Sequence, residues 1–458
     1  MSPTAQLVLW SGVMLLILAV ATERLWQRRM SGWLGRLRAM PWPDRLELVR
    51  RRPWRWYLVG WPVAVVRMHW TWRRLCENAG LAVLRRRHRK GIVVNDMVVH
   101  GRALHPLSPR LGLPRVTRTG LTVRVYLQPG QTPGQFIGAA DAMAHAWRMH
   151  AVRVVSPKRG EVLVTALAGD PLASGAGARA GKLAVRSLLS ARVGWFEDGG
   201  PWVVDLRRVP HWLLIGATRS GKSNWLAAFV GELAPQPVAL VGIDCKGGME
   251  LALVAPRLSA LAVNPAEASV LLGWLVTEAE HRMAECRAAG VRSVWDLPAG
   301  VRPVPVVCVV DEIAELYLTD GSRDSRQWAV ECSTALLRLA QLGAALGLHL
   351  VVAGQRVGSE LGPGVTALRA QLGGRVCHAV HDEATAQMAL GDLAPDAVVA
   401  VQTITADDQG TAVTTVGGSW LLGRSTLVTA DESRLTAKRY AHLAPDLGFK
   451  RPGGGVTA

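Results

Sequence analysis

From residue 211 onward, short apolar runs alternate with longer segments of helical period. The runs are His211–Ile215, Val238–Ile243, Val304–Val310 and Leu348–Ala353; the periodic segments span 224–233, 266–289 and 325–346. Runs of this length without polar alternation read as strands covered on both faces. Strand–helix alternation then predicts an α/β domain built on a parallel sheet, over 191–435. The pattern before it is looser. Val123–Leu127 alternates, Thr132-Pro133 opens a helix to about Arg148, and 152–167 reads as a hairpin turning at Pro157-Lys158-Arg159-Gly160. This predicts a small α/β domain over 116–190, containing a Gly/Ala-rich hinge loop at 171–182, behind a Pro-, Gly- and Arg-rich linker at 91–115. Residues 436–458 read as a short amphipathic helix and a disordered tail.

The N-terminus has a different character. Ala5–Ala21 is a 17-residue apolar run broken by Gln6 and Ser11, at the short end of what spans a bilayer. No Lys or Arg precedes it, whereas Arg24, Arg28 and Arg29 follow, with Trp26 placed for the interface. This favours a single-pass anchor (1–22) in the cytoplasmic membrane, with the body inside, over a cleaved leader, which would lack its basic start. The apolar patch Trp56–Val66 contains Pro62 and is too short to span. It predicts an interfacial helix, with Trp54, Trp56, Trp61, Trp70 and Trp72 in the headgroup zone.

Charge sharpens this division. Residues 23–90 hold 18 Lys/Arg against 4 Asp/Glu, a net +14 of the chain's +18. The remainder is close to balanced, so the high pI is a property of one juxtamembrane block and weak evidence for nucleic acid. The Arg85-Arg86-Arg87-His88-Arg89-Lys90 cluster suits a solvated flank as well as lipid or DNA. Six scattered cysteines, without C-x-x-C spacing, read as reduced thiols.

The chemistry is concentrated behind the first buried strand. Gly216-Ala217-Thr218-Arg219-Ser220-Gly221-Lys222-Ser223 follows His211–Ile215 and opens a helix. Strand, Gly-bounded loop, Lys, hydroxyl and helix form the phosphate-cradling P-loop. Lys222 suits the β/γ-phosphates of ATP, and the Ser223 hydroxyl suits Mg²⁺. Val304–Val310 delivers Asp311 and Glu312 at a strand's carboxyl end, where open α/β sheets bind ligands. On its own such a pair is often a polar strand end. Behind a P-loop, Asp311 suits Mg²⁺, and Glu312 suits the attacking water. Gln355, just past the next strand, suits sensing of the γ-phosphate, or else satisfies a loop. Arg375 suits an arginine finger acting on a neighbouring subunit's nucleotide, or equally a salt bridge.

Over about residues 190–430 these features resemble the FtsK/SpoIIIE DNA-pumping motors and, within them, the Tra proteins of mycelium-forming actinobacteria. The resemblance rests on Val193-Gly194, Asp205-Leu206 and Pro210-His211 ahead of the P-loop, and on the D-x-K…E-L pattern of Asp244–Leu251. It extends through Pro265–Ala268, Glu280–Met283, Gly290–Ser293, Val309–Glu312, Glu315-Leu316, Gly347–Leu350, Gln355-Arg356, Arg375 and Gly391. Arg219, Gly354 and Val357 depart from it, standing where those motors usually have Gly, Thr and Pro.

The resemblance implies a RecA-like ATPase that uses ATP and Mg²⁺ and assembles as a homo-hexameric ring around double-stranded DNA. Lys222, Ser223, Asp311, Glu312 and Gln355 would come from one subunit, Arg375 from its neighbour. The expected function is conjugative or septal transfer of double-stranded DNA between cells. A protein-secretion motor of related fold and a membrane-tethered DNA-binding adaptor with an ATP switch remain alternatives. For the anchor, a reporter fused after residue 22 is expected to report the cytoplasmic side; a periplasmic signal overturns the topology.

Overall fold

The computed structural model describes residues 56–86, 104–117, 119–169, 172, 187–391, 395–405, 407–416 and 419–449. The expected span at 5–21, most of the 171–182 hinge and the tail beyond 449 lie outside them. Among the described residues no helix is long and apolar enough to cross a membrane. The chain divides into two units, residues 1–166 and 167–458.

In the first unit a short π-helical turn, Trp56–Gly60, leads into α1 (Trp61–Asn78). Strands β1 (Val83–Arg86) and β2 (Leu104–Leu107) pair antiparallel. Next come β3 (Arg110–Leu111), β4 (Arg115–Val116), β5 (Gly120–Tyr126), α2 (Pro133–Gly138), α3 (Ala140–Trp147), β6 (Ala151–Lys158) and β7 (Glu161–Leu167). The sheet runs β3-β5-β7-β6, with β4 also on β5. The helix expected over 133–148 is thus two helices, broken at Ala139 and ended by Arg148 in the left-handed region (φ 54). Alternation on β5 sends Leu121, Val123 and Val125 inward, where they share a core with Phe136, Met143 and Trp147.

The reading of Trp56–Val66 as a lipid-facing helix needs correction. One face of α1, carrying Ala64, Met68, Trp72, Leu75 and Cys76, is buried in this core, and Trp56 and Trp61 pack against it. The Trp72 ring lies 6.2 Å from that of Trp147, and its indole N–H donates to the Pro109 carbonyl at 2.8 Å. The opposite stripe, Val59, Val63, Val66 and Trp70, stays exposed and ends in the Arg73–Glu77 ion pair. A Trp-rich run on one helix therefore serves two surroundings, and helical spacing decides which ring enters which.

The second unit holds β8 (Ser190–Phe196), β9 (Pro201–Asp205), β10 (His211–Ile215), α4 (Lys222–Leu233), β11 (Ala239–Ile243), β12 (Ala260–Ala262), α5 (Pro265–Ala288), β13 (Val306–Val310), α6 (Arg323–Leu346), β14 (Leu348–Gly354), α7 (Val365–Gln371), β15 (Gly374–His378), α8 (Glu383–Ala386), α9 (Pro395–Gln402), β16 (Thr411–Val416), β17 (Ser419–Ser425) and α10 (Ala430–Arg439). Its sheet runs β12-β11-β13-β14-β10-β15-β16-β17-β8-β9. The first six strands are mutually parallel, and the last four extend the sheet antiparallel. The continuous apolar runs follow from double coverage. On β10, Leu213 and Ile215 join the core that contains α5 and α6, while Trp212 and Leu214 join the one that contains α4.

The helices start where the sequence punctuates them. The Asn264 side chain accepts the Glu267 N–H at 2.9 Å ahead of α5, and Ser322 accepts the Ser325 N–H at 3.1 Å ahead of α6. Replacing Trp72 by Ala is expected to destabilise the first unit by roughly 3–5 kcal/mol, whereas Trp70→Ala should stay within about 0.5 kcal/mol, read by denaturant unfolding. Equal effects would contradict the division of faces on α1.

Candidate nucleotide-binding site

Strand β14 is flanked by β10 and β13, all parallel, so the three segments that follow them emerge side by side. After β10 the loop folds back on the strand ends. The Gly216 N–H donates to the Gly354 carbonyl at 3.3 Å, and the Ala217 N–H donates to the Ala379 carbonyl at 2.8 Å. Both bounding glycines are required by space. A Cβ on Gly216 would come within 2.5 Å of Ser220 Oγ and 2.7 Å of His378 Cβ. A Cβ on Gly221, whose φ is +109, would come within 2.5 Å of the Gly410 backbone. Arg219 also adopts a left-handed φ of 63. A non-glycine residue held at such a φ costs about 1–2 kcal/mol.

Lys222 begins α4, with its ammonium donating to the Gly216 carbonyl and, at 3.4 Å, to that of Ala217. Burial pushes its pKa down, against the pull of Glu312 and Asp311. Ser223 is exposed beside it, as are Thr218 and Arg219, while Ala217 and Ser220 are buried. Asp311 and Glu312 are both buried just past β13. Glu312 Oε1 accepts the Gln355 backbone N–H at 3.2 Å, and its Oε2 lies 3.4 Å from Lys246 Nζ. The Gln355 side chain is exposed. Burial, reinforced by the neighbouring Asp244 and Glu250 carboxylates, lifts the Asp311 pKa to about 6. Clustered buried carboxylates and a nearby hydroxyl are a donor set that suits a hard divalent ion. The residues present therefore fit Mg²⁺, and the tight glycine-bounded loop with its lysine fits a triphosphate.

Arg375 is not brought to this edge. It lies within β15, level with Leu213 on β10, two residues short of the end of β10 and three short of the end of β15. It is 5% exposed, and its guanidinium donates to the Arg369 carbonyl at 2.6 Å. An arginine enclosed in the sheet is not presented to a neighbouring subunit, so the arginine-finger expectation is replaced by a structural role.

Other groups shape the site without having stood out in the sequence. His378, fully buried beneath Gly216, is kept neutral by burial, its pKa pushed down to about 3. The Gly410 N–H donates to the Ser220 carbonyl at 3.0 Å, which braces the loop from outside. Asn224 on α4 donates to Ser425 Oγ and the Thr426 carbonyl and accepts the Val428 N–H, all within 2.9 Å. No local pattern marks these contacts, because the partners are about two hundred residues apart. Lys246 lies in the D-x-K string, where a signal was present but had no role attached.

Known proteins fit this geometry. A family model described as "Actinomycete conjugal transfer protein N-terminal domain" matches residues 48–168, and the FtsK/SpoIIIE family model matches 184–302 and 297–359. The transfer protein TraSA of Streptomyces ambofaciens is 42% identical over 351 residues, covering 74% of this chain and 84% of that protein. A sporulation regulatory protein of Streptomyces azureus is 48% identical over 279 residues, covering 61% of this chain and 90% of that one.

The chain belongs to the FtsK/SpoIIIE family.

It is accordingly an ATPase with a P-loop α/β fold. Among solved structures, the monomer form of the pCW3 conjugation coupling protein TcpA with ATPγS superposes with a TM-score of 0.54 at 19% identity, covering 73% of this chain and 93% of that one. The DNA translocase FtsK of Tropheryma whipplei is 30% identical over 212 residues, 42% of this chain and 27% of that protein. The family's ATPase core thus carries the N-terminal domain of the actinomycete transfer proteins.

The raised Asp311 pKa has a direct consequence for stability. Between about pH 4 and pH 6 the folded, nucleotide-free ATPase unit binds the extra proton, so its stability falls as pH rises through that window and stays lowered above it. Asp311→Asn is expected to raise unfolding stability at pH 7 by roughly 1–3 kcal/mol and to flatten the change between pH 4 and pH 6. Thermal melts across that range check both; a destabilised variant would contradict the electrostatic account.

Proposed function

We propose that this ATPase is a membrane-attached motor that assembles as a homo-hexameric ring and moves double-stranded DNA between cells. The observation that carries this reading is the joint match on one chain: a conjugal-transfer N-terminal domain over 48–168, followed by an FtsK/SpoIIIE core. The printed names of TraSA, TcpA and FtsK, a transfer protein, a conjugation coupling protein and a DNA translocase, support DNA as the substrate.

In this reading the loop 216–223 cradles the triphosphate of ATP with its backbone N–H groups and Lys222. Ser223 and Asp311 would hold Mg²⁺, which would supply positive charge to offset that of the bound triphosphate. Glu312 orients the attacking water and holds its proton, with Oε1 fixed by the Gln355 N–H. Gln355, exposed just past β14, would be placed to sense the γ-phosphate. DNA is contacted mainly through phosphates, which makes binding weakly sequence-specific and salt-sensitive.

Attachment to the cytoplasmic membrane is supported by the apolar run at 5–21, the net +14 of residues 23–90 and the exposed ridge Val59, Val63, Val66 and Trp70. The ridge leads into exposed Arg73 and Arg74, a pairing of apolar surface and positive charge that suits an anionic leaflet.

Duplex DNA is expected to raise the ATPase rate of the full chain in membranes, with the rise lost at high salt, and the wild type should displace a strand blocked on the duplex. Lys222→Ala should abolish both. Glu312→Gln should retain ATP while lowering turnover by roughly 10²-fold or more. A motor indifferent to DNA of any kind, yet hydrolysing ATP, would overturn the substrate assignment and favour a protein cargo.

A further inference from the structure

Lys246 stands on the turn that follows β11, at the edge where the P-loop and the acid pair emerge. The turn is closed on itself by Asp244, whose buried carboxylate accepts the backbone N–H of Lys246 at 3.3 Å, Glu250 at 2.9 Å and Leu251 at 3.1 Å. Gly247 and Gly248 both take left-handed φ values, +78 and +76. The lysine is therefore held out on a defined loop rather than trailing from a strand end. It reaches Glu312 across the adjacent strand β13, with Nζ 3.4 Å from Oε2.

The two partners differ in surroundings. The Glu312 side chain is 6% exposed, that of Lys246 41%. Glu312 Oε1 is meanwhile taken by the Gln355 N–H. Both carboxylate oxygens are thus engaged, one by a fixed backbone donor and one by a half-exposed side chain. Each oxygen keeps a second lone pair, but the ammonium neutralises and orients the carboxylate and so weakens it as an acceptor for a water's proton; the backbone donor at the end of β14 cannot leave. The lysine can.

We propose that Lys246 is a positioning residue that latches Glu312 in the nucleotide-free subunit, and that turnover requires it to release Oε2. The proposal rests on the reading of Glu312 as the residue that orients the attacking water. The latch lowers idle hydrolysis, and its location on an exposed turn lets an event outside the nucleotide cradle control the release.

The test uses the full chain in membranes without DNA, so that the transport reading does not enter. Lys246→Met keeps the stem and removes the charge. It is expected to raise kcat about five-fold, equivalent to about 1 kcal/mol, with KM for ATP unchanged within about two-fold. Hydrogen–deuterium exchange at the Gln355 amide, measured without nucleotide, should quicken because the carboxylate it donates to is no longer tethered. Lys246→Arg should restore both values toward wild type.

A lowered or unchanged kcat overturns the latch whatever the exchange data show. A raised kcat with unchanged exchange at Gln355 overturns the ion pair as its route. Glu312→Gln is measured in parallel. If it hydrolyses ATP at the wild-type rate, the reading of Glu312 falls and the latch with it; if it is inert while Lys246→Met shows no gain, the latch falls alone.

Discussion

The hydrogen-bonded register of β14 with its two neighbours sets the site. Ile215 pairs with Gly354 on one side and Val310 with Val352 on the other. The cradle therefore leaves the sheet level with Gly354, and Asp311 and Glu312 leave it one step away, with Gln355 between. A slip of one residue in either ladder would move the acids to a different height and turn their side chains to the opposite face. The apolar side chains above and below the sheet resist such a slip, because alternate positions on β10 belong to different cores. Catalytic geometry here is a by-product of packing that has no chemistry in it.

Charge tells the opposite story. Asp244, Glu250, Asp311 and Glu312 gather around Lys222 and Lys246, and burial of Asp311 among them is unfavourable enough to lift its pKa to about 6. Lys222 meanwhile turns its ammonium onto carbonyls of its own loop. Burial among like charges disfavours the ionised form of Asp311, and burial likewise disfavours the charged form of Lys222. Arg219, held at a positive φ, adds a small backbone cost.

How far the sequence could be read depended on whether a feature is local. The P-loop, the buried strands and the strand-end acids announce themselves within eight residues, because each is defined by its neighbours in the chain. Placement across the sheet is not local. Arg375 looked available because it precedes an apolar run, but that run begins a step earlier and takes the arginine inside as its second residue. The tryptophans of 56–72 looked like one lipid-facing group because composition has no azimuth. Only the helical phase of α1 sends Trp72 into the core and leaves Trp70 outside. The antiparallel strands β16 and β17 passed unnoticed, being short and bounded by ordinary Thr, Ser and Gly residues.

The contacts that brace the phosphate loop come from late in the chain. Gly410 holds the Ser220 carbonyl, and residues 425–428 are pinned by Asn224, yet the FtsK/SpoIIIE match ends at residue 359. The segment that the family model matches is thus shorter than the unit that is mechanically coupled. A fragment cut at residue 359 would keep the cradle, the acid pair and Gln355 and lose the wall they lean on.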